Sequence, residues 1–206
     1  MTIWAVLPVK PLHLGKSRLH PYLEPEEIYQ LNMDLFAGTY ARMDSCNSID
    51  RILVVSKDDT ILKMVEAWGG LALREQSPTS LNKALEQAFE TIKQKGGGAV
   101  LVIPADLPQM QTKDLESLIS LGKAKDFVVI VPDYNQTGTN ALFMSRPGLI
   151  RPMFGRKSFQ KHVRQSSEKS VELTVWLNQF MQSDLDTHQD LQNYIKINIH
   201  STEFIN

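Results

Sequence analysis

Residues 99–108 read Ala-Val-Leu-Val-Ile-Pro-Ala-Asp-Leu-Pro, an apolar run that ends near an aspartate held between two prolines. An unbroken apolar run of this length is typical of a strand that is buried on both faces, as in parallel sheets covered by helices. Ligands of open α/β sheets bind outside the carboxyl ends of the strands. Asp106 is therefore a candidate functional residue, although acids after strands are common and it could simply cap the next turn.

Similar apolar runs, each followed by a pattern of helical period, occur on both sides of this one. The predicted strands are 3–9, 51–56, 71–73, 99–104 and 127–132, and the predicted helices are 24–43, 57–69, 81–95 and 112–121. Alternation of this kind predicts an α/β fold with a mostly parallel sheet between two helical layers. After Pro132 the alternation breaks, and strands at 140–144 and 171–176 with helices at 158–168 and 190–195 indicate a mixed sheet. No repeat or linker divides the chain, so we expect a single domain over residues 1–206.

Composition limits the class of protein. The 206 residues are 42% hydrophobic and 22% charged, with a net charge of −1. A nucleic-acid binder usually carries a basic excess, so no nucleic-acid partner is expected. No apolar run approaches the ~20 residues that span a bilayer, and the N-terminus lacks a signal-peptide pattern, so we expect a cytoplasmic protein without a membrane partner. The single Cys46 excludes an internal disulfide and a cysteine-based zinc cluster.

Two further segments carry unusual polar content. The loop after the first strand holds Lys10, Gly15, Lys16 and Arg18, which suits a phosphate cradle although it lacks the spacing of a P-loop. A solvated basic loop is the alternative. Near the C-terminus, two acids two residues apart in 184–186 would point to the same side of an extended segment and suit a hard cation. Asp186 or Thr187 could instead cap the helix that follows.

Two glycine-containing turns are candidates for binding an anion. Thr137-Gly138-Thr139-Asn140 precedes a strand, and residues 154–159 lead into a helix that contains His162. A helix N-terminus with a nearby serine offers free N–H groups and a hydroxyl to a phosphate or carboxylate. Ordinary turn and cap roles are the alternatives, and His162 is more often a packing or hydrogen-bonding residue than a catalyst.

Seven short motifs in this order resemble the 2-phospho-L-lactate guanylyltransferase and phosphoenolpyruvate guanylyltransferase family over nearly the whole chain. The motifs are Pro8-Val9-Lys10, Lys16-Ser17-Arg18-Leu19, Leu81-Asn82 with Ala84-Leu85, Ala105-Asp106-Leu107-Pro108, Gly138-Thr139-Asn140-Ala141-Leu142, Phe154-Gly155 with Ser158-Phe159 and His162, and Asp184-Leu185-Asp186-Thr187 with Asp190-Leu191. Thr137 stands where the family often has glycine, and His188 stands where many members have proline.

The resemblance implies a GT-A-like, Rossmann-like nucleotidyltransferase fold and a role in coenzyme F-420 biosynthesis. It implies transfer of GMP from GTP to 2-phospho-L-lactate, phosphoenolpyruvate or 3-phosphoglycerate, with Mg²⁺ as cofactor. The residues that it implies are Asp106, Asp184 and Asp186 for the metal, Lys16, Thr139, Gly155 and Ser158 for the acceptor acid, and Lys10, Arg18, Leu81 and Asn82 for the nucleotide. Asp106 and Lys16 would be the catalytic pair.

Two alternatives remain open from the sequence. One is a nucleotidyltransferase of the same fold with a molybdopterin or sugar phosphate as acceptor, although such enzymes usually have a glycine-rich first loop. The other is a catalytically silent nucleotide-binding protein, which would have no need of three acidic ligands. The identity of the acceptor, the choice of base and the oligomeric state are not fixed by the sequence, and a homodimer is one option.

Overall fold

The computed structural model describes residues 2–76 and 80–203, whose strands all belong to one seven-stranded sheet. The strands are β1 (Ile3–Val9), β2 (Arg51–Ser56), β3 (Leu71–Arg74), β4 (Ala99–Val102), β5 (Phe127–Pro132), β6 (Thr139–Met144) and β7 (Glu172–Val175). The helices are α1 (Pro25–Asp44), α2 (Asp59–Ala67), α3 (Leu81–Gln94), α4 (Thr112–Ser120), α5 (Ser158–Glu168), α6 (Gln179–Gln182) and α7 (His188–Glu203). Two short 3-10 turns, Leu12–Leu14 and Ser17–Leu19, lie in the loop after β1.

The sheet has the order β3-β2-β1-β4-β6-β5-β7, and every neighbouring pair is parallel except those made by β6. Strands β4, β5 and β6 are buried at every position because helices cover both faces. The predicted α/β fold with a mostly parallel, mixed sheet is confirmed. The sequence did not predict the short helix α6 or the full length of α7.

Strand β6 is antiparallel to both of its neighbours because the connection from β5 spans only residues 133–138. A connection of that length can close a hairpin but is too short for a parallel crossover. The Asp133 carboxylate fixes this turn by accepting hydrogen bonds from the backbone N–H of Thr137 and Gly138 and from the Thr137 hydroxyl. Thr137 therefore contributes a hydroxyl that stabilises the turn.

Two apolar clusters lie on opposite faces of the sheet. One face packs against α1, α2 and α4 through residues such as Phe36, Ile61 and Leu115. The other packs against α3 and α5 through residues such as Leu85 and Phe159. The fold is therefore a three-layer helix–sheet–helix arrangement, as predicted.

A third, smaller cluster joins the loop after β1 to α1 and to the start of α7. It contains Leu19, Leu35, Leu185 and Leu191, all buried. Close by, the rings of Tyr22 and His188 stack with centroids 3.9 Å apart. This packing brings the basic loop near the N-terminus and the acidic segment near the C-terminus to the same edge of the sheet.

Within residues 2–76 and 80–203, the length and hydropathy of the helices leave no candidate for a membrane crossing.

Candidate active site

The candidate site lies where the direction of the strand order reverses. Strands β1 and β4 are parallel neighbours at the centre of the sheet, with β2 and β3 beyond β1 and the remaining strands beyond β4. Loops that leave the carboxyl ends of two such strands diverge and open a crevice, which is the usual binding place in α/β folds. A cleft of about 440 Å³ lies here, within the common range for ligand sites. Its lining includes Lys10, Leu14, Lys16, Leu81, Asp106 and Asp186.

The ammonium group of Lys16 lies between two carboxylates in this cleft. Its Nζ atom is 3.1 Å from Asp106 Oδ2 and 3.0 Å from Asp186 Oδ1, and only 7% of the lysine side chain is exposed. Burial by itself would lower the pKa of Lys16, but the two negative charges and the hydrogen bonds to them raise the pKa above its ordinary value. Lys16 therefore remains charged and joins two acids that are distant in the sequence.

The backbone around Lys16 is fixed in an uncommon conformation. Lys16 has φ of 55°, in the left-handed region that costs a non-glycine residue about 1–2 kcal/mol. The preceding Gly15 has no room for a side chain, since a Cβ atom there would lie 2.6 Å from Nδ2 of Asn32. That same amide donates to Leu12 O at 2.6 Å. Asn32 thus fastens the loop to α1 and helps to direct Lys16 towards the acids.

Helix α1 and the C-terminal segment hold Asp106 in place. The Thr39 hydroxyl donates to Ala105 O and the Arg42 guanidinium donates to Pro108 O, both at 3.2 Å. The backbone N–H of Leu185 donates to Asp106 O at 2.9 Å. That last bond places the segment 184–186 directly beside Asp106, so the two predicted acidic motifs do come together.

The surroundings of Asp184 change the pKa of its carboxyl group. Burial, followed by the nearby charges of Asp106 and Asp186, raises the pKa of the Asp184 carboxyl. Its contact with Asn140 Nδ2 is long, at 3.5 Å. Thr187 caps the helix that follows, which was the alternative role for this segment. Its hydroxyl accepts a hydrogen bond from the N–H of Asp190 at 3.3 Å, and the Asp190 carboxylate accepts one from the N–H of Thr187 at 2.7 Å.

The three aspartates suit a divalent cation in charge and in the kind of donor. Carboxylate oxygens are preferred ligands of Mg²⁺, and the pKa of Asp184 is raised first by burial and then by the nearby charges of Asp106 and Asp186. Among residues 2–76 and 80–203, however, no three side chains of the His, Cys, Asp or Glu type form a metal-binding group. Lys16 instead supplies the positive charge between Asp106 and Asp186, and Arg18 lies 3.6 Å from Asp186 with a mostly exposed side chain.

Of the four residues predicted to hold the acceptor, Lys16 lies in the cleft, whereas Thr139, Gly155 and Ser158 lie near the starts of β6 and α5 and are not among the residues that line the cleft. Phe159 N donates to Thr137 O at 3.2 Å, which brings the N-terminus of α5 to the turn before β6. Gly155 has φ of +106°, and the space where a Cβ atom would stand is open. The Ser158 hydroxyl is buried and has no hydrogen-bond partner within the described part of the chain.

The two residues predicted to contact the nucleotide from α3 differ in position. Leu81 lies in the wall of the cleft and is 39% exposed. The Asn82 amide instead pairs with the backbone of Phe154, accepting from its N–H at 2.7 Å and donating to its carbonyl at 3.1 Å. Asn82 therefore fastens α3 to the loop that leads to Gly155, and a direct nucleotide contact of Asn82 stays a prediction.

Sequence reasoning missed the positions of Asn140 and His162. The Asn140 amide donates to Met181 O at 3.0 Å and approaches Asp184. His162 is fully buried beside Thr139. The polar pair Thr139-Asn140 at the start of an otherwise apolar strand was the sequence feature that marked Asn140.

Comparison with known proteins agrees with this arrangement. A protein-family model described as "Guanylyl transferase CofC like" matches residues 3–205. The chain belongs to this family. Among relatives of the guanylyl transferase family, the chain is 33% identical over 191 residues to a phosphoenolpyruvate guanylyltransferase of Rubrobacter xylanophilus, covering 93% of this chain and 92% of that protein. It is 31% identical over 193 residues to a 2-phospho-L-lactate guanylyltransferase of Methanobrevibacter smithii, covering 94% and 84%.

The fold of this family member also resembles solved nucleotidyltransferase structures. A nucleotidyl transferase from Methanothermobacter matches with a TM-score of 0.67 at 13% identity, over 95% of this chain and 98% of that one. At such low identity the likeness concerns the fold alone. The predicted nucleotidyltransferase fold and the predicted family are thus both confirmed.

Proposed function

We propose that this protein is a guanylyltransferase that transfers GMP from GTP to a phosphorylated three-carbon acid and releases pyrophosphate. The acceptor would be 2-phospho-L-lactate or phosphoenolpyruvate, with 3-phosphoglycerate as a further candidate. The observation that carries the proposal is the pairing of Lys16 with Asp106 and Asp186, beside Asp184, at the sheet's reversal point in a chain of the guanylyl transferase family.

The reaction needs little proton transfer because the acceptor is already a phosphate anion. One of its oxygens would attack the α-phosphorus of GTP in line and form a new P–O bond. The bond from that phosphorus to the oxygen bridging the β-phosphate would break, and its electron pair would leave with pyrophosphate. Catalysis of such a step depends mainly on positioning the two anions and on neutralising the charge between them.

Each group of residues has a part in this scheme. Lys10 and Arg18 would bind the nucleotide phosphates, and Leu81 would contact the nucleotide in the cleft. Lys16 would neutralise charge next to Asp106, and Thr139, Gly155 and Ser158 would hold the acceptor.

Asp106, Asp184 and Asp186 would hold Mg²⁺. When bound, the ion would supply positive charge that offsets the charge of the reacting phosphates.

The setting of the reaction is part of the same proposal. We expect the chain to act as a single domain in the cytoplasm, in coenzyme F-420 biosynthesis, with GTP and the acid as its small-molecule partners. A second acceptor class, sugar or molybdopterin phosphates, is less well supported because the end of β1 and the loop after it contain Pro8 and Pro11 and only one glycine. The three retained acids count against a catalytically silent protein.

One panel of reactions tests the proposal. The protein with Mg²⁺ is mixed with each nucleoside triphosphate and with one acceptor, either one of the three acids or a sugar phosphate, and pyrophosphate release is measured. We expect release with GTP and one of the three acids, and little with ATP or CTP. If no GTP pair releases pyrophosphate while sugar phosphates do, the alternative acceptor class is favoured. If no pair reacts but GTP binds, the silent alternative is favoured.

A further inference from the structure

A β-bulge at Asn140 decides which way Thr139 faces. Val131 pairs with Ala141 but Pro132 pairs with Thr139, so Asn140 is an extra residue in β6. In a regular strand, Thr139 would lie on the same face as Ala141, which packs with the α1 side of the sheet. The bulge reverses this order, and Thr139 contacts His162 of α5 while Asn140 contacts Met181 of α6.

The hydrogen bonds of His162 fix its tautomer. The backbone N–H of Met153 can only donate, and it lies 2.9 Å from Nε2 of His162. Nε2 must therefore carry the lone pair, and in a neutral ring the proton is on Nδ1. Burial, together with the nearby charge of Lys161, lowers the pKa of His162 to about 4, so the ring is neutral at physiological pH.

The tautomer in turn fixes the role of the Thr139 hydroxyl. Nδ1 lies 3.0 Å from Thr139 Oγ1, and because Nδ1 carries the proton, the hydroxyl oxygen is the acceptor. The hydroxyl hydrogen of Thr139 therefore cannot point at the ring. His162 is the one partner of this oxygen within the described residues, so the hydroxyl keeps its hydrogen for another group.

The start of α5 supplies a second buried hydroxyl near this pair. Ser158 lies one turn before His162 on α5, and its buried hydroxyl has no partner in the parts of the chain that the structure describes. A buried hydroxyl without a partner is costly, and an anionic ligand oxygen would satisfy it. Neutral hydroxyl donors held in fixed directions can bind a carboxylate or phosphate oxygen without adding charge to the site.

We propose that His162 is a positioning residue for the acceptor acid: its Nδ1–H group holds the Thr139 hydroxyl so that the hydroxyl hydrogen is directed at an oxygen of that acid. The proposal rests on the proposed function, since it takes the phosphorylated acid as the ligand of Thr139. His162 touches neither substrate nor reacting atoms and acts through Thr139 alone.

Two substitutions of His162 each keep one of the two hydrogen bonds of its ring and remove the other. In His162→Asn the amide nitrogen can replace Nδ1 as donor to Thr139, whereas in His162→Gln the longer side chain can replace Nε2 as acceptor for Met153. We expect His162→Gln to raise the KM for the acid by roughly tenfold with the KM for GTP unchanged, as for loss of a hydrogen bond to a charged group. His162→Asn should recover most of that loss. A purely structural role through Met153 predicts the reverse order and would overturn the proposal.

A double-mutant cycle guards against variants that fold poorly. In a Thr139→Val background the hydroxyl is gone, so His162→Gln should change the acid's KM by about twofold or less. An equal effect in both backgrounds would contradict action through Thr139, whatever the stability of the single variants. Melting temperatures of all four proteins show how far each substitution disturbs the fold.

The tautomer can be read without any substrate. Long-range ¹H–¹⁵N NMR spectra of the full chain distinguish a histidine protonated on Nδ1 from one protonated on Nε2, and His162→Asn assigns the signal. We expect the Nδ1–H form at pH 7. The Nε2–H form would overturn the inference even in an active enzyme. An Nδ1–H signal in a protein that releases no pyrophosphate would count against the proposed function instead.

Discussion

Around Asp106 the candidate site is built from charges of opposite sign, whereas around Thr139 it is built from neutral groups joined by hydrogen bonds. The charged half consists of the loops after β1 and β4 and of the segment between α6 and α7, and the side chains of Asp106 and Asp186 are 31% and 43% exposed. The neutral half consists of a bulged antiparallel strand and a helix, and Thr139, Ser158 and His162 are buried. Partly exposed charges can exchange partners when phosphates bind, whereas a buried network favours one fixed arrangement.

This difference suggests a division of labour. The charged half can release Lys16 or accept a further cation as the negative charge of the ligands changes. The neutral half would keep the orientation of the acceptor constant. Substitutions in either half, or at the joint between them, test this division.

The largest effect is expected from removing a charge at the centre of the charged half. Asp106→Asn keeps the shape of the side chain but loses its negative charge, so we expect kcat to fall by roughly 10³-fold or more. The protein should still fold because α1 and Leu185 bind the backbone of this loop. Pyrophosphate release measures the rate, and Asp126→Asn, an exposed acid paired with Arg146, is the matched control. Near-normal turnover by folded Asp106→Asn would contradict a catalytic role.

The neutral half should make the stability of the folded protein depend on pH. The pKa of His162 is lowered to about 4 in the folded protein, so between pH 6.5 and pH 4 the unfolded chain binds more protons than the folded one. Stability due to the neutral ring is therefore complete above pH 6.5 and is lost as the pH falls towards 4. The loss amounts to on the order of 3 kcal/mol. Denaturant unfolding at several pH values measures it.

The control for the measurements between pH 6.5 and pH 4 is His162→Asn, because asparagine has no group that titrates in this range. Its stability should fall less steeply than that of the natural protein between pH 6.5 and pH 4. Parallel curves for the two proteins would mean that His162 is not buried in its neutral form.

Removing Lys16 should make the charged half more responsive to a divalent cation. In Lys16→Met the acids Asp106 and Asp186 lose the cation between them. We expect the free energy of unfolding to fall by about 1–3 kcal/mol, because both acids are partly exposed and water screens part of the lost attraction. Mg²⁺ should then raise the melting temperature more than it does in the natural protein. Lys10→Met removes an equal charge from an exposed position in the same loop and is the control. An identical response to Mg²⁺ in all three proteins would argue against an ion site at these acids.

The smallest effect is expected at the joint between the two halves. Asn82→Ala removes both hydrogen bonds to Phe154, so the loop that leads to Gly155 should become less fixed. We expect the KM for the acid to rise about fivefold, in line with the loss of about 1 kcal/mol. Leu81→Ala, one residue earlier in the cleft wall, should affect the KM for GTP instead. A rise in the GTP KM alone for Asn82→Ala would favour the nucleotide contact implied by the family resemblance.

The sequence predicted the strands of this fold well because buried parallel strands are continuous apolar runs. It also marked the acids that the structure brings together, since Asp106 follows a central strand and Asp184 and Asp186 stand near the C-terminus. It could not predict that one lysine would join them, because Lys16 is 90 residues from Asp106 and 170 from Asp186. Such contacts depend on how loops converge after folding.

The neutral half was harder to predict for a related reason. The bulge at Asn140 comes from the pairing of β6 with β5, and strict alternation of side chains would have placed Thr139 on the wrong face of the sheet. The tautomer of His162 depends on the backbone of Met153, which no sequence pattern marks. Local patterns therefore identified the residues of this half, but not the directions in which they point.

The most direct test of the proposed activity is the structure of the product. ³¹P NMR of a mixture of protein, Mg²⁺, GTP and the best acceptor acid should show pyrophosphate together with a pair of coupled diphosphate signals from guanosine linked to the acid. Free GMP with pyrophosphate would show hydrolysis instead of transfer. GTP that remains intact with every acid would contradict the account.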